Sequence, residues 1–538
     1  MQDPEGTRAA IQRSVLAHPA LACILLSALW AVATLPGLNA VGLINWQESA
    51  RALVAQRMHT SGDWIVPTIA DQPYLAKPPM LYWAELTLCR LTGRPPGEAE
   101  LRSTVALAGL TGVLLTYFAG RSILCAGVDR GGVRSSAESS DELNAIAALW
   151  AGIFLATGIL YVRSSRIGEL DILLAPWTVG AIWGCTWAWV REDAGLARRM
   201  LAIVLASVCC AGAALTKGPP ALLSIGLGIV GGIGLWTAWE CAPRPRAGRT
   251  TVAAMLCGCA LMAAGAWVNR DALGSVRAWL GIVLLGCTGC AAGLMTPLFQ
   301  RGSLSRVLEA VWKSGIVPAL ATGVLGLWAW SRAVEARLGA EVIARTASQE
   351  ASDNLRALSF ESPIQNLEAA VYAVGVGSIA CIAALTWLVT QPPRISRSWW
   401  VLLAWLVLGL AFFSLAGRGT GRYLTPLWPA VALLGGVWIT RATRDFAGGI
   451  AIARGAFILV CIIACTQAYW YSAVSPAKEA ERSSRGLMRE LLAPEHGVDR
   501  SRLAAIDFWV GSLDFYAGHH VLPVIDIGPW IDFPHEET

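Results

Sequence analysis

The chain has 538 residues, 55% of them hydrophobic and only 15% charged, with a formal net charge of +5. A soluble globule carries about 25% charged residues, so the composition excludes an ordinary soluble enzyme. The small net charge gives no reason to expect a nucleic-acid partner. Apolar runs of about 20 residues recur instead, each long enough to cross a bilayer as a helix that satisfies its own backbone polar groups. The 25 Trp residues suit anchoring at the membrane interface.

In chain order, spans are predicted near 17–38, 101–120, 143–161, 171–190, 200–216, 219–239, 251–268, 276–298, 308–331, 367–390, 399–416, 423–440 and 452–473. The first reads as a retained span rather than a cleaved signal peptide. Basic residues mark every second loop: Arg8 and Arg13, Arg130 and Arg134, Arg198 and Arg199, Arg244 to Arg249, Arg394 and Arg397, Arg441 and Arg444. The positive-inside rule places those loops in the cytoplasm. The opposite loops are then external: 39–100, the turn Arg163–Glu169, the Lys217-Gly-Pro-Pro turn, 332–366 and Arg418–Arg422. The expected class is an all-α polytopic membrane protein with about 13 transmembrane helices and a large first external loop. Residues 1–473 form its membrane domain. Residues 474–538 form a small external α/β segment, helix-like over Glu479–Leu492 and strand-like at Leu503–Trp509 and Val521–Ile527.

The 14 Cys lie mostly within apolar spans. Cys287-x-x-Cys290 has redox or metal spacing but no second pair, so it reads as small-residue packing. His519 and His520 stand without further ligands nearby, and no zinc site is expected there. No internal repeat of the transporter kind is visible.

The first external loop carries the densest chemistry. A helix-like stretch opens at Asn45-Trp46-Gln47-Glu48-Ser49-Ala50-Arg51 and runs to Met58, amphipathic enough to lie along a membrane surface. Ser61-Gly62-Asp63-Trp64 breaks it. The extended Ile65-Val66-Pro67-Thr68 then leads to Tyr74-Leu75-Ala76-Lys77-Pro78-Pro79-Met80-Leu81-Tyr82-Trp83, and a second interfacial helix is predicted after Pro79.

This series resembles the first periplasmic loop of the GT-C superfamily glycosyltransferases, in the aminoarabinose-transferase and protein mannosyltransferase-like branch. Further matches are Arg166-Ile-Gly-Glu-Leu-Asp171 opening a span, Lys217-Gly-Pro closing one, and Arg422-Tyr423-Leu-Thr-Pro426-Leu-Trp-Pro429 near the end. The resemblance covers roughly 17–445 and implies a GT-C fold in a bacterial inner membrane. It also implies transfer of a sugar from a polyprenyl-phosphate donor to a lipid A-like lipid, a glycan or a protein at the outer face. Membrane lipids are the remaining partners, and lipid A modification and protein glycosylation are the two processes in view.

The departing lipid phosphate needs cations near the interface. Lys77, Lys217, Arg422 and Arg166 are the candidates, while Gln47, Arg51, Tyr74, Tyr82 and Tyr423 would position donor or acceptor. The acceptor needs a carboxylate to take its proton. In the family that role falls to the first acid of an acidic pair, which aligns here with Gln47; the second acid is Glu48. A one-residue shift would place Glu48 and Arg51 in the family's acid and arginine positions. Three readings follow: Glu48 is the base, Asp171 or Glu169 takes part, or the chain no longer catalyses the family reaction. Some relatives use a divalent metal at the acidic site, and Gln47 leaves one carboxylate fewer to hold it. Outside this class of enzyme, the sequence also admits a lipid-linked-sugar flippase or a non-catalytic lipid-binding homologue.

Overall fold

A computed structural model describes residues 18–43, 46–69, 72–124, 137–240, 303–342, 369, 373–390, 396–416, 421–446, 448–479, 483–498, 504–505, 511–517 and 522–523. Among these, five helices are long and apolar enough to cross a membrane: Glu98–Ile123, Leu196–Lys217, Pro219–Glu240, Gly421–Asp445 and Gly449–Lys478. A bent pair, Leu304–Ser314 with Ile316–Leu338, makes a sixth, and shorter apolar helices include Pro19–Thr34 and Val376–Leu388. The chain is a multi-pass, largely helical membrane protein. The expected spans 251–268 and 276–298, together with Cys287, Cys290, Arg418, His519 and His520, lie outside the described residues.

The helices pack through small residues, as expected where lipid removes the hydrophobic drive between helices. Trp428–Asp445 lies on Ala137–Ala156, and Pro219–Glu240 lies on Arg397–Ala416. At the first contact a side chain on Gly436 would stand 2.2 Å from the Ala147 carbonyl oxygen. Trp189, Trp405, Trp428, Tyr117 and Tyr161 fill the spaces between helices as fully buried rings.

The predicted span 308–331 is broken. Gly315 takes φ +69° and ends the helix Ser303–Ser314, so Ile316–Leu338 starts afresh at 57° to it. The reason is local: a left-handed residue cannot continue a right-handed helix, and glycine adopts it without steric cost. The predicted span 423–440 is also shifted, with a 3-10 segment at Gly421–Leu427 around Pro426 and the α-helix at Trp428–Asp445. The last span ends its α-helix at Tyr469 and continues as a π-turn, Trp470–Val474.

Two sets of loops converge at separate places. At one, Arg397 and Lys313 pair with Glu192 at 2.5 and 3.6 Å, joining three segments expected on the same side of the membrane. At the other, the first loop meets the turns at Glu169, Lys217 and Arg422.

Within the first loop, the helix Trp46–Ser61 is more enclosed than the expected surface helix, with Glu48, Ser49, Ala50, Arg51, Ala52, Val54, Ala55 and Met58 buried. It packs against the helix Met80–Thr92 and, from the other end of the chain, Gly511–Ala517. Between the loop's helices, Asp63 closes a turn by accepting from the Ile65 and Val66 amides at 2.7 and 3.3 Å. The strands Thr68–Ile69 and Gln72–Pro73 then pair antiparallel. Trp330 and Arg337 fix this hairpin to the helix Ile316–Leu338, through the Ile65 carbonyl at 2.9 Å and the Asp63 carboxylate at 2.6 Å. In the C-terminal segment, Ala504–Ala505 and Leu522–Pro523 pair in parallel, and the helices Arg485–Leu491 and Gly511–Ala517 pack on each other.

Candidate functional site

The turn after Arg163 runs through Gly168 and Glu169 into the 3-10 segment Leu170–Leu173, so Glu169 and Asp171 stand two residues apart before the helix Leu174–Val190. Lys217 is the last residue of Leu196–Lys217, where a cation suits the negative end of the helix dipole. Gly218, at φ +71°, ends that helix before the Pro pair. Arg422 and Tyr423 lie on the 3-10 segment Gly421–Leu427.

These three segments meet. Lys217 Nζ bonds Asp171 Oδ1 and sits 4.0 Å above the Tyr423 ring. Arg422 Nη1 donates to Glu169 Oε1 at 3.1 Å, with its guanidinium 5.5 Å from the same ring. Two cations, two carboxylates and one aromatic face thus share one locus. Asp171 is 4% exposed. Burial raises the Glu169 carboxyl above its ordinary range, against the opposing pull of Arg422.

The first loop completes the locus. With the Gln47 amide assigned so that its oxygen faces the guanidinium, that oxygen accepts from Arg422 Nη2 at 2.7 Å and Nη1 at 3.3 Å. Glutamine therefore serves here as a neutral acceptor where the family pattern has an acid. One turn further, Arg51 Nη1 donates to the Tyr74 hydroxyl at 2.9 Å. Burial works against the Arg51 charge, but Tyr82, Tyr74 and Asp171 together raise its pKa. Burial pushes the neighbouring Tyr82 hydroxyl up to about 12.

Glu48 is placed differently. It is 1% exposed, and both oxygens are engaged: Oε1 accepts from Arg102 Nε at 2.8 Å and the Gly168 amide at 3.1 Å, and Oε2 from Arg102 Nη2 at 3.1 Å. The same guanidinium donates to the carbonyls of Leu38, Val41 and Gly42 at 3.1, 2.6 and 3.0 Å. Glu48 and Arg102 therefore tie the start of the loop to the turn that carries Glu169. Arg166 is also engaged elsewhere, stacked 4.0 Å from the Tyr471 ring and bonded to the Thr34 carbonyl. Lys77 lies partly buried in the bend between the hairpin and Met80–Thr92.

Two participants were not anticipated. Arg102 was legible only as a cation heading an apolar span, which is costly unless paired. Glu85, on Met80–Thr92, is 0% exposed with both oxygens unbonded among the described residues. Burial, reinforced by Glu100, raises its carboxyl well above the ordinary range. As for a metal, among the described residues no three His, Cys, Asp or Glu side chains converge as a ligand set. Asp171 and Glu169 each face a cation instead.

Known proteins resemble this chain in sequence and in fold. Residues 141–257, which include Glu169, Asp171 and Lys217, match the family described as dolichyl-phosphate-mannose-protein mannosyltransferase. A curated relative, undecaprenyl phosphate-alpha-4-amino-4-deoxy-L-arabinose arabinosyl transferase 2 from Proteus mirabilis (strain HI4320), is 26% identical over 198 residues. That match covers 37% of this chain and spans only 32% of the relative's length. The fold is shared with ArnT from Cupriavidus metallidurans bound to undecaprenyl phosphate, at TM-score 0.60 and 18% identity over 95% of this chain and 86% of that one. The apo form of the same protein gives TM-score 0.58 and 16% identity, over 93% and 84%. The chain is similar to the GT-C superfamily glycosyltransferases of the PMT/ArnT-like branch, in motifs and in fold.

Proposed function

We propose that this chain is a glycosyltransferase that moves a sugar from a polyprenyl-phosphate donor to an acceptor at the periplasmic face of a bacterial inner membrane. The observation that carries the reading is the locus where Lys217 and Arg422 flank Tyr423 opposite Asp171 and Glu169. It lies on a fold shared with a protein crystallised with undecaprenyl phosphate.

In the reaction, the acceptor oxygen bonds to the anomeric carbon as the bond from that carbon to the phosphate oxygen breaks. The electron pair leaves on the polyprenyl phosphate, and the acceptor proton must go to a base. Lys217 and Arg422, with Lys77 from the loop, meet the phosphate as its charge develops. Tyr423 orients both cations. Gln47 holds the Arg422 fork, and Arg51 with Tyr74 and Tyr82 lines the loop side.

The base follows from basicity. Glu48 has both oxygens committed to Arg102 and Gly168, so its role is to hold the loop. Asp171 is committed to Lys217 through its Oδ1. Glu169 has the raised pKa and an oxygen, Oε2, with no hydrogen bond among the described residues. A proton acceptor with a raised pKa is the more effective base. Glu169 takes the proton, and Asp171 orients Lys217. Arg166, stacked on Tyr471, supports the turn that carries both acids.

Orientation follows the basic loops: N-terminus in the cytoplasm, first loop and C-terminal segment in the periplasm. Residues 1–473 form the membrane domain and 474–538 a periplasmic unit docked on it. The test is a reconstituted transfer assay with polyprenyl-phosphate sugars, run beside undecaprenyl phosphate binding. Transfer that is lost in Glu169→Gln while the lipid phosphate still binds supports the enzyme. Binding without transfer by the wild-type chain, whatever sugar is offered, identifies a non-catalytic lipid-binding homologue. Lipid-linked sugar that crosses the bilayer unchanged identifies a flippase.

A further inference from the structure

The C-terminal segment reaches back to the first loop through contacts that no motif announced. Arg485 Nη1 donates to the Asn39 carbonyl at 3.2 Å and Nη2 to the Ala40 carbonyl at 2.5 Å. The same guanidinium pairs with Glu98 Oε2 at 2.9 Å. Tyr516 accepts from the Leu43 amide at 2.8 Å and donates to Glu98 Oε1. Both oxygens of Glu98 are therefore held by the C-terminal segment.

Together with Arg102, these contacts cap five successive carbonyls. Arg102 takes those of Leu38, Val41 and Gly42, and Arg485 takes those of Asn39 and Ala40. Gly42 is buried while Asn39 and Ala40 are exposed, and two guanidiniums, each neutralised by a glutamate, supply this irregular backbone with partners along its length. The fit is close. A Cβ on Gly42 would stand 2.2 Å from Ser483 Oγ, 2.6 Å from the Tyr516 hydroxyl and 2.8 Å from Arg485 Cβ. The segment itself is consolidated by Met488, Leu513 and Ala517 and by a Ser484–Ser512 hydroxyl contact at 2.5 Å.

We infer that Arg485 and Tyr516 are positioning residues: they clamp residues 38–43 and thereby set the placement of Gln47, Glu48 and Arg51 at the functional site. The path is short. The carbonyls that Arg485 clamps alternate with those that Arg102 caps in the same stretch, Arg102 holds both Glu48 oxygens, Glu48 holds the Gly168 amide, and Gln47 beside it meets Arg422. The clamp stands on its contacts alone, while its effect at the site rests on the function proposed above. Lys217 and Arg422 lie on other segments, where Asp171 and Glu169 hold them independently of Gln47, so the clamp acts on the loop side of the site.

The test uses the full chain in lipid nanodiscs, with hydrogen exchange read over 38–51 and undecaprenyl phosphate as the bound probe. In Arg485→Ala and Tyr516→Phe, amides of 38–51 should exchange about tenfold faster or more, as local opening no longer breaks the clamp. The dissociation constant for undecaprenyl phosphate should stay within about twofold, because loss of the clamp leaves Lys217 and Arg422 in place, whereas a pair worth about 1.4 kcal/mol would shift it tenfold. Protection of 46–51 by saturating undecaprenyl phosphate should fall in both variants, a readout that a merely structural role for the C-terminal segment would not move. Gly42→Ala, which leaves that segment intact, should reproduce the effect from the loop side. Unchanged exchange in Arg485→Ala and Gly42→Ala overturns the clamp. Faster exchange with undiminished protection by the lipid overturns its link to the site. A Lys217→Ala chain that binds undecaprenyl phosphate like the wild type instead overturns the reading of the site, and the clamp is then judged on exchange alone.

Discussion

Glu48→Gln separates a residue that holds the loop from one that performs chemistry. The substitution keeps the side-chain volume but turns one oxygen into an NH2 group. With the amide oxygen kept on Arg102 Nε and Gly168, that NH2 faces Arg102 Nη2 across 3.1 Å, donor against donor. It also leaves a guanidinium, only 6% exposed, without its counter-charge. Removing one partner of a buried ion pair costs about 3–5 kcal/mol. The three carbonyls that Arg102 still caps bring Glu48→Gln to the lower end of that range. Arg102→Met orphans those carbonyls as well as Glu48, and belongs at the upper end. The double variant should cost less than the sum of the singles by about 1–3 kcal/mol, since the residues share one interaction. Equilibrium unfolding in mixed micelles, followed by circular dichroism, measures all three. A Glu48→Gln protein as stable as the wild type but devoid of transfer would refute this reasoning and make Glu48 the base.

Lys217→Ala and Arg422→Ala should each weaken undecaprenyl phosphate binding about tenfold or more, since a charge-assisted bond is worth about 1.5–3 kcal/mol; titration calorimetry checks this, and affinity retained in both removes them from the phosphate site. Glu169→Gln should lower transfer about 10²–10⁴-fold. In the wild type, activity should rise with pH through a midpoint above the ordinary glutamate range, because the base must lose a proton that burial retains; a midpoint at or below that range counts against Glu169. Burial raises the Glu85 carboxyl, so the folded chain binds its proton more tightly than the unfolded one. Its contribution to stability is therefore full below the unfolded value of about 4.3 and lost as pH rises through the folded pKa. Glu85→Gln should stabilise the protein at pH 8 and change little near pH 4, and unfolding curves of equal midpoint at pH 8 would contradict the assignment.

Much of the helical framework was visible in the sequence. Apolar runs at 101–120, 200–216 and 219–239 correspond to Glu98–Ile123, Leu196–Lys217 and Pro219–Glu240, because hydropathy over some 20 residues is the physical requirement itself. The break at Gly315 was hidden because glycine is common in membrane helices and hydropathy does not register its left-handed backbone. Segments bearing Glu169, Asp171, Lys217 and Arg422 were picked out by motif, and the structure brings those four together. What the motif could not say was which cation meets which acid. Glu48 read as a candidate base because its partner, Arg102, lies 54 residues away on another helix and leaves no local sign of the pairing. Likewise, nothing near Gly42 in the sequence points to Arg485 or Tyr516, since pairing across the whole chain leaves no local pattern.

The capped stretch at 38–42 also sets a timetable. Asn39 and Arg485 are separated by 446 residues. At about 5–20 residues per second, ribosomal synthesis would take roughly 20–90 s to make the second after the first. The capped stretch is thus made long before the residues that complete it. A chain halted after its final span would hold a fully threaded helical bundle whose Asn39 and Ala40 carbonyls, and the Glu98 carboxylate, still await Arg485 and Tyr516. Maturation of the loop therefore waits on synthesis of the segment that carries Arg485 and Tyr516.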